Sequence, residues 1–289
     1  MPGDSARMVD TARGPVHFQR LASENGTGAP PLVILHGGGP GCHASADFGE
    51  AIPLLRSREL ILLDLPGYGR SPLHRPPGPR FTGYAHVLES LLETLSIDTC
   101  DILAQSLGGI AALTLSALHP NRVRRIVAIG SQPVPAPPGI RVDPALGARA
   151  REQYYGGPTS AETLRSEVMA LEWHDTNAIP VDLVQARYAA SVSPAGLAAA
   201  ADPRVLGTPE DLSWMPGRVA APTLLLSGIH DPFGEPAYGR WLARQLPHGI
   251  HAVLDRTAHH PQSENPSETV RLMHKHFDSE HKPEHHAKG

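Results

Sequence analysis

Apolar positions along this chain fall into short runs, set apart by turn residues and by longer stretches of helical period. The runs are Leu32 to Leu35, Leu60 to Leu63, Cys100 to Leu103, Ile126 to Ile129, Thr223 to Leu226 and Ile250 to Leu254. A strand covered on both faces has no solvent side to keep polar, so the first three runs predict buried strands of a parallel sheet, the next two continue the pattern, and Ile250 to Leu254 is a last run before a helical C-terminus. Tyr84 to Leu95 places Val87, Leu88, Leu91, Leu92 and Leu95 on one helical stripe, the crossover that a parallel pair requires. Gly109 to Leu118 and Ser267 to Phe277 predict two further helices. The alternation implies an α/β fold with a mostly parallel, doubly wound sheet.

That rhythm breaks between Ser131 and Pro216, where Pro135, Pro137 and Pro138 open a stretch of helical segments without strands. Glu162 to Trp173 and Val181 to Val192 are the amphipathic candidates there. The expected organisation is a core of residues 1–130 and 217–278, a helical cap of residues 131–216 inserted after the sixth strand, and a disordered tail at 279–289. His281, His285 and His286 belong to that tail, among Lys and Glu.

Composition narrows the function classes. In 289 residues the formal net charge is -4, with both signs interspersed, so the chain offers no concentrated positive field for nucleic acid. Met1 to Pro15 carries Asp4, Arg7, Asp10 and Arg13 and lacks the apolar core of a signal peptide, and no later run is long enough to span a bilayer. The expectation is a soluble cytoplasmic enzyme without nucleic-acid or membrane partners. Cys42 and Cys100 are too few for a disulfide framework and are expected reduced. Histidines number 17, yet none is spaced as a zinc site would need, so neither metal nor other cofactor is expected. A homodimer is expected only because homodimers are common.

Ile102-Leu103-Ala104-Gln105-Ser106-Leu107-Gly108-Gly109 runs from strand through a sharp turn into a helix, with one serine at the apex. It matches the nucleophile elbow G-x-S-x-G, with Ala104 for the first glycine. Small residues flank the serine because the turn is tight and the helix passes close to the strand. A plain N-cap would account for Ser106 but not for those neighbours. Upstream, His36-Gly37-Gly38-Gly39-Pro40-Gly41 follows a strand, and no G-K-[ST] of a phosphate loop comes after it. Its backbone can turn amides inward, which assigns Gly38, with Leu107 after the serine, as oxyanion donors.

A serine hydroxyl needs a base, and the base needs an acid to orient it. The order for this elbow is Ser, then Asp or Glu, then His. Asp231 follows the strand at Thr223 to Leu226, although an Asp before Pro232 also fits a turn. After the next strand, His259 and His260 compete for the base. His230, His248 and His251 are expected at the surface or a strand edge, and Asp64 is expected to serve as a structural turn acid.

These residues resemble the α/β-hydrolase superfamily from about Gly14 to Phe277, and D-x-P-G-x-G-x-S at Asp64 to Ser71 is a further mark of it. Within it, the triple-glycine loop looks like that of the meta-cleavage product hydrolases, which cut a carbon-carbon bond in vinylogous diketone acids. Leu183-Val184-Gln185-Ala186-Arg187-Tyr188 is similar to the family's cap segment L-x-Q-G-R-W, whose arginine binds the substrate carboxylate. A planar guanidinium fork suits that carboxylate, which implies this role for Arg187. The segment from His259 to Glu264 resembles the family's H-W-x-Q-x-E. That resemblance selects His259 as the base and puts His260 at the tryptophan position beside the substrate.

The elbow departs from the family's G-N-S-M-G-G: Gln105 stands at the substrate-contacting asparagine, and Ala104, Ala258 and His260 also differ. The resemblance implies catalysis by Ser106, Asp231 and His259, with Gly37, Gly39, Gln105, Arg187 and His260 around a small-molecule substrate. Carbon-carbon hydrolysis is the first expectation. Another acyl hydrolase (esterase, thioesterase or aminopeptidase) is the second, because one triad serves many acyl groups. A prolyl aminopeptidase usually has tryptophan where Leu107 stands. A cyclase or binding protein on the same scaffold is the third.

Overall fold

The computed structural model describes residues 4–26, 28–74, 79–202, 208 and 210–279. Eight strands form one sheet: β1 (Ser5–Thr11), β2 (Gly14–Leu21), β3 (Leu32–Leu35), β4 (Leu60–Leu63), β5 (Cys100–Gln105), β6 (Val123–Ile129), β7 (Thr223–Gly228) and β8 (Gly249–Leu254). Their order is β1-β2-β4-β3-β5-β6-β7-β8. The pairs β1/β2 and β2/β4 are antiparallel and the others parallel.

The six apolar runs are all strands, and the period-two alternation within them sorts two apolar layers. Val33, Leu35, Ile61, Leu63, Ile102 and Ala104 face the layer that holds Leu88, Leu91, Ile110 and Leu242. Leu32, Ile34, Leu60, Leu62, Leu103 and Leu226 face the one that holds Phe48, Leu55, Met273 and Phe277. The helices Arg80–Thr94, Leu107–Leu118, Pro236–Gln245 and Pro266–Phe277 cover the two faces. The hairpin of β1 and β2 was not foreseen from the pattern. β1 is an edge strand whose side chains are mostly exposed, so it carries no apolar run to read.

Strand order reverses at β3, which lies between β4 and β5. Ligands bind in such sheets at the carboxyl ends of the strands where the order reverses. Leu35 pairs with Ala104, so the loop beginning at His36 leaves the sheet beside Gln105 and Ser106. Ile129 pairs with Leu226 and Gly228 with Leu254, which brings the turns after β6, β7 and β8 to the same rim.

Between β6 and β7 the described residues form helices, with one isolated bridge, Val142 to Gly234. The insert carries its own apolar cluster of Tyr154, Leu164, Val168, Met169, Trp173, Ile179, Leu183 and Val184. Val181–Ser191 is helical as expected. The expected helix from Glu162 to Trp173 is more complex: Ala161–Thr163 is α-helical, Leu164–Met169 is a π-helical turn, and Ala170–Glu172 closes the element before the chain extends at Trp173. Such wide turns recur at functional sites. The expected tail lies outside the described residues except for Ser279. Among the described residues no helix is long and apolar enough to cross a membrane.

Candidate active site

Ser106 stands between β5 and the helix Leu107–Leu118 with φ 49° and ψ −111°. A positive φ in a non-glycine residue is strained, and here the fold holds it from several sides. The Ser106 amide donates to Ile129 O at 2.7 Å, and its carbonyl accepts from Ser131 Oγ at 2.9 Å. Gly108 donates to His36 O at 3.1 Å, and a Cβ there would stand 2.6 Å from Leu35 Cβ. The small residues around the serine are thus demanded by the close passage of helix and strand.

The glycine loop is shaped by residues that sequence reading passed over. Leu65 N donates to His36 Nε2 at 3.0 Å, which leaves the ring proton on Nδ1 to donate to Gly37 O at 2.7 Å. Tyr68 Oη donates to Gly38 O at 3.1 Å and itself accepts from Arg80. A Cβ at Gly38 would lie 3.4 Å from the Leu107 side chain, so the two expected oxyanion donors are neighbours. Asp64 acts as the expected turn acid: it accepts from Arg70 N and Ala44 N and pairs with His17.

Asp231 Oδ2 meets His259 Nδ1 at 2.8 Å, while Oδ1 accepts from Phe233 N at 2.9 Å. The carboxylate fixes the imidazole tautomer and leaves Nε2 as the basic nitrogen. His230 N donates to Thr257 O, tying the acid loop to the histidine loop. Below the pair, Gly130 has φ 58°, and a Cβ there would come within 2.8 Å of the His259 ring. Phe233 packs on that ring with centroids 4.2 Å apart. Burial alone would lower the His259 pKa, but the Asp231 carboxylate, with Glu172 and Glu264 behind it, raises it. Among the described residues neither Ser106 Oγ nor His259 Nε2 has a hydrogen-bond partner. Catalytic hydrogen bonds commonly tighten only when substrate is bound.

The expected pocket residues make internal contacts. Gln105 is buried; its Nε2 donates to His259 O at 3.1 Å and its Oε1 packs against Gly37. It ties the elbow to the histidine loop. Arg187 is fully buried, with Nη1 donating to Glu172 Oε2 at 2.8 Å and Nε to Pro40 O at 3.2 Å. Gly39 packs against its Nη2. His260 is also buried, its Nε2 3.0 Å from the same Glu172 oxygen, because an imidazole at the tryptophan position needs a polar partner. His251 lies on β8, bonded to Ser227, and His230 stacks on His174. Glu264, unassigned from sequence, holds the histidine loop by accepting from Ala258 N at 2.7 Å. Among the described residues no group of three or more His, Cys, Asp or Glu side chains could hold a metal ion.

Residues 30–266 match the family model described as alpha/beta hydrolase fold. A 2-hydroxy-6-oxononadienedioate/2-hydroxy-6-oxononatrienedioate hydrolase of Cupriavidus pinatubonensis is 28% identical over 277 residues, covering 93% of this chain and 94% of that protein. A 2-hydroxymuconate semialdehyde hydrolase of a Pseudomonas species is 34% identical over 167 residues, covering 57% of this chain and 55% of that protein. Among solved structures, a meta-cleavage product hydrolase from Pseudomonas fluorescens superposes with a TM-score of 0.79 at 20% identity, covering 94% of this chain and 97% of that one. A thermophilic esterase from Thermogutta terrifontis gives 0.70 at 18% identity, with 94% and 97% covered.

Proposed function

We propose, from the premise that this chain belongs to the α/β-hydrolase fold family, that it is a serine-dependent hydrolase of a meta-cleavage-type 2-hydroxy-6-oxo-dienoate or a related carboxylate-bearing ketone. The observation that carries the reading is the Asp231–His259 contact at 2.8 Å, on the rim where Ser106 turns through positive φ. The names of full-length relatives supply the substrate class.

In this reading the dienol is first ketonised by proton transfer through His259. Ser106 Oγ then attacks the ketone carbon, passing its proton to His259 Nε2. The amides of Gly38 and Leu107 stabilise the oxyanion. The carbon-carbon bond breaks as the departing dienolate carbon takes up a proton, leaving an acyl-serine. Water activated by His259 then releases a carboxylic acid and restores Ser106. The helical insert covers the substrate, and Gly37 and Gly39 give the backbone its close approach. The chain would act in the cytoplasm, with a homodimer as its expected assembly.

Ester hydrolysis is the second reading, favoured because Glu172 already occupies the guanidinium expected to hold a substrate carboxylate. Incubation with a yellow ring-fission product separates the two. Bleaching that is lost in Ser106→Ala supports carbon-carbon cleavage. An unchanged yellow band beside fast turnover of p-nitrophenyl acetate rejects it in favour of ester hydrolysis.

A further inference from the structure

The insert meets the two proposed catalytic loops through a bonded pair, Glu172 and Arg187. Glu172 ends the element that begins at Ala161 and passes through the π-helical turn Leu164–Met169, immediately before the chain extends at Trp173. Its backbone carbonyl accepts from His259 N at 2.9 Å. Its Oε2 receives both His260 Nε2 and Arg187 Nη1, at 3.0 and 2.8 Å. Arg187 carries the link to the other loop, donating from Nε to Pro40 O at 3.2 Å. The fit there is tight. A Cβ at Gly41, where φ is 69°, would fall 1.8 Å from Arg187 O, and one at Gly39 would fall 2.6 Å from Arg187 Nη2.

We propose that Glu172 is a positioning residue: paired with Arg187, it sets the histidine loop and the glycine loop relative to each other, and Arg187 is a brace of that assembly instead of a substrate ligand. The proposal rests on the serine-hydrolase reading given above. Its physical ground is that both partners are buried, so each is costly to leave alone and together they are held in one geometry. A carboxylate that receives an imidazole and a guanidinium on one oxygen is also a poor candidate for displacement by a substrate acid. Burial alone would raise the Glu172 pKa, but Arg187 and His260 hold it well below the ordinary carboxylate range.

The groups facing His259 are Asp231, Glu172, Glu264, His260 and Phe233. Glu172 is one of the carboxylates that raise its pKa, so the acidic limb of the rate profile reports on it.

The test uses p-nitrophenyl acetate, which has no carboxylate for an arginine to bind, with Glu172→Gln, Glu172→Asp and Arg187→Met. Misplacing a catalytic group by an ångström costs about a hundredfold in rate, so kcat should fall roughly ten- to a hundredfold in each, with KM little changed. The acidic limb of kcat/KM should move to lower pH in Glu172→Gln. In Glu172→Asp, which keeps the charge and the backbone carbonyl and is the variant of choice if the others do not fold, it should stay in place while kcat falls. Turnover of the neutral ester within twofold of the parent in Glu172→Asp and Arg187→Met, with only acid substrates losing KM, overturns the brace and returns Arg187 to substrate binding. Ser106→Ala run beside them separates the premise from the proposal. If it retains full activity, the serine mechanism fails; if it is dead while Glu172→Asp is unaffected, only the brace does.

Discussion

At the scale of single residues, the site depends on where one proton sits. His259 holds its proton on Nδ1 against Asp231, so the lone pair on Nε2 is the one the proposed reaction would use. Because its pKa is raised, activity should climb with pH through a value above the ordinary histidine range of about 6.5. The same shift stabilises the fold below the unfolded pKa, and that contribution is lost as pH rises through the folded one. A kcat/KM profile on any cleaved ester checks the first part. Asp231→Asn should lower kcat by about four orders of magnitude, because the amide favours the wrong tautomer, while a thermal melt stays cooperative. Gly130→Ala offers a steric counterpart: its Cβ would press on the His259 ring at a backbone angle that alanine resists. We expect a loss of roughly 1–3 kcal/mol in stability and at least about tenfold in kcat, read by urea unfolding and by ester turnover.

At the scale of elements, each central strand is pressed between two apolar layers, which is why its sequence is continuous apolar residues and not an alternating pattern. Leu103 of β5 is fully buried directly before the elbow. Leu103→Ala should cost about 2–5 kcal/mol, measured as a lower urea midpoint with an unchanged slope. These strands were legible because their period is local. β1 was not, since an edge strand with exposed side chains looks like any polar segment. The helix Pro236–Gln245 was also passed over, although Pro236 at its first turn and an amphipathic run mark it. In the insert the helical period was readable, but the π-helical turn that precedes Glu172 was not, because one extra residue per turn leaves no compositional mark.

At the scale of the whole molecule, chemistry and a second charged cluster occupy opposite ends of the sheet. The proposed catalytic loops leave the carboxyl ends of the strands, whereas Asp101, near the start of β5, is fully buried against Arg58 and Arg124. Arg125 is buried in the same region, donating to Phe277 O at 2.9 Å and to Ser279 O. Asp101→Asn would leave the buried Arg58 guanidinium uncompensated and should destabilise by about 3–5 kcal/mol. Because the cluster lies away from the catalytic rim, kcat of the folded fraction should remain that of the parent. Chemical denaturation and ester turnover on one preparation test both halves.

The sequence by itself determined the strand pattern, the sharp turn at Ser106 and the glycine loop, because each is written in residues a few positions apart, and the order of candidate serine, acid and histidine, because each follows such a local run. Tertiary structure alone decided what surrounds them. The partners Glu172 and His260 are 88 residues apart in the chain, and nothing local announces that they meet. Nor does the pattern reveal that Arg187 faces an internal carboxylate, or that Gln105 turns toward the histidine loop. Local periods follow from backbone geometry, whereas the pairing of buried charges is fixed only when packing brings distant segments together.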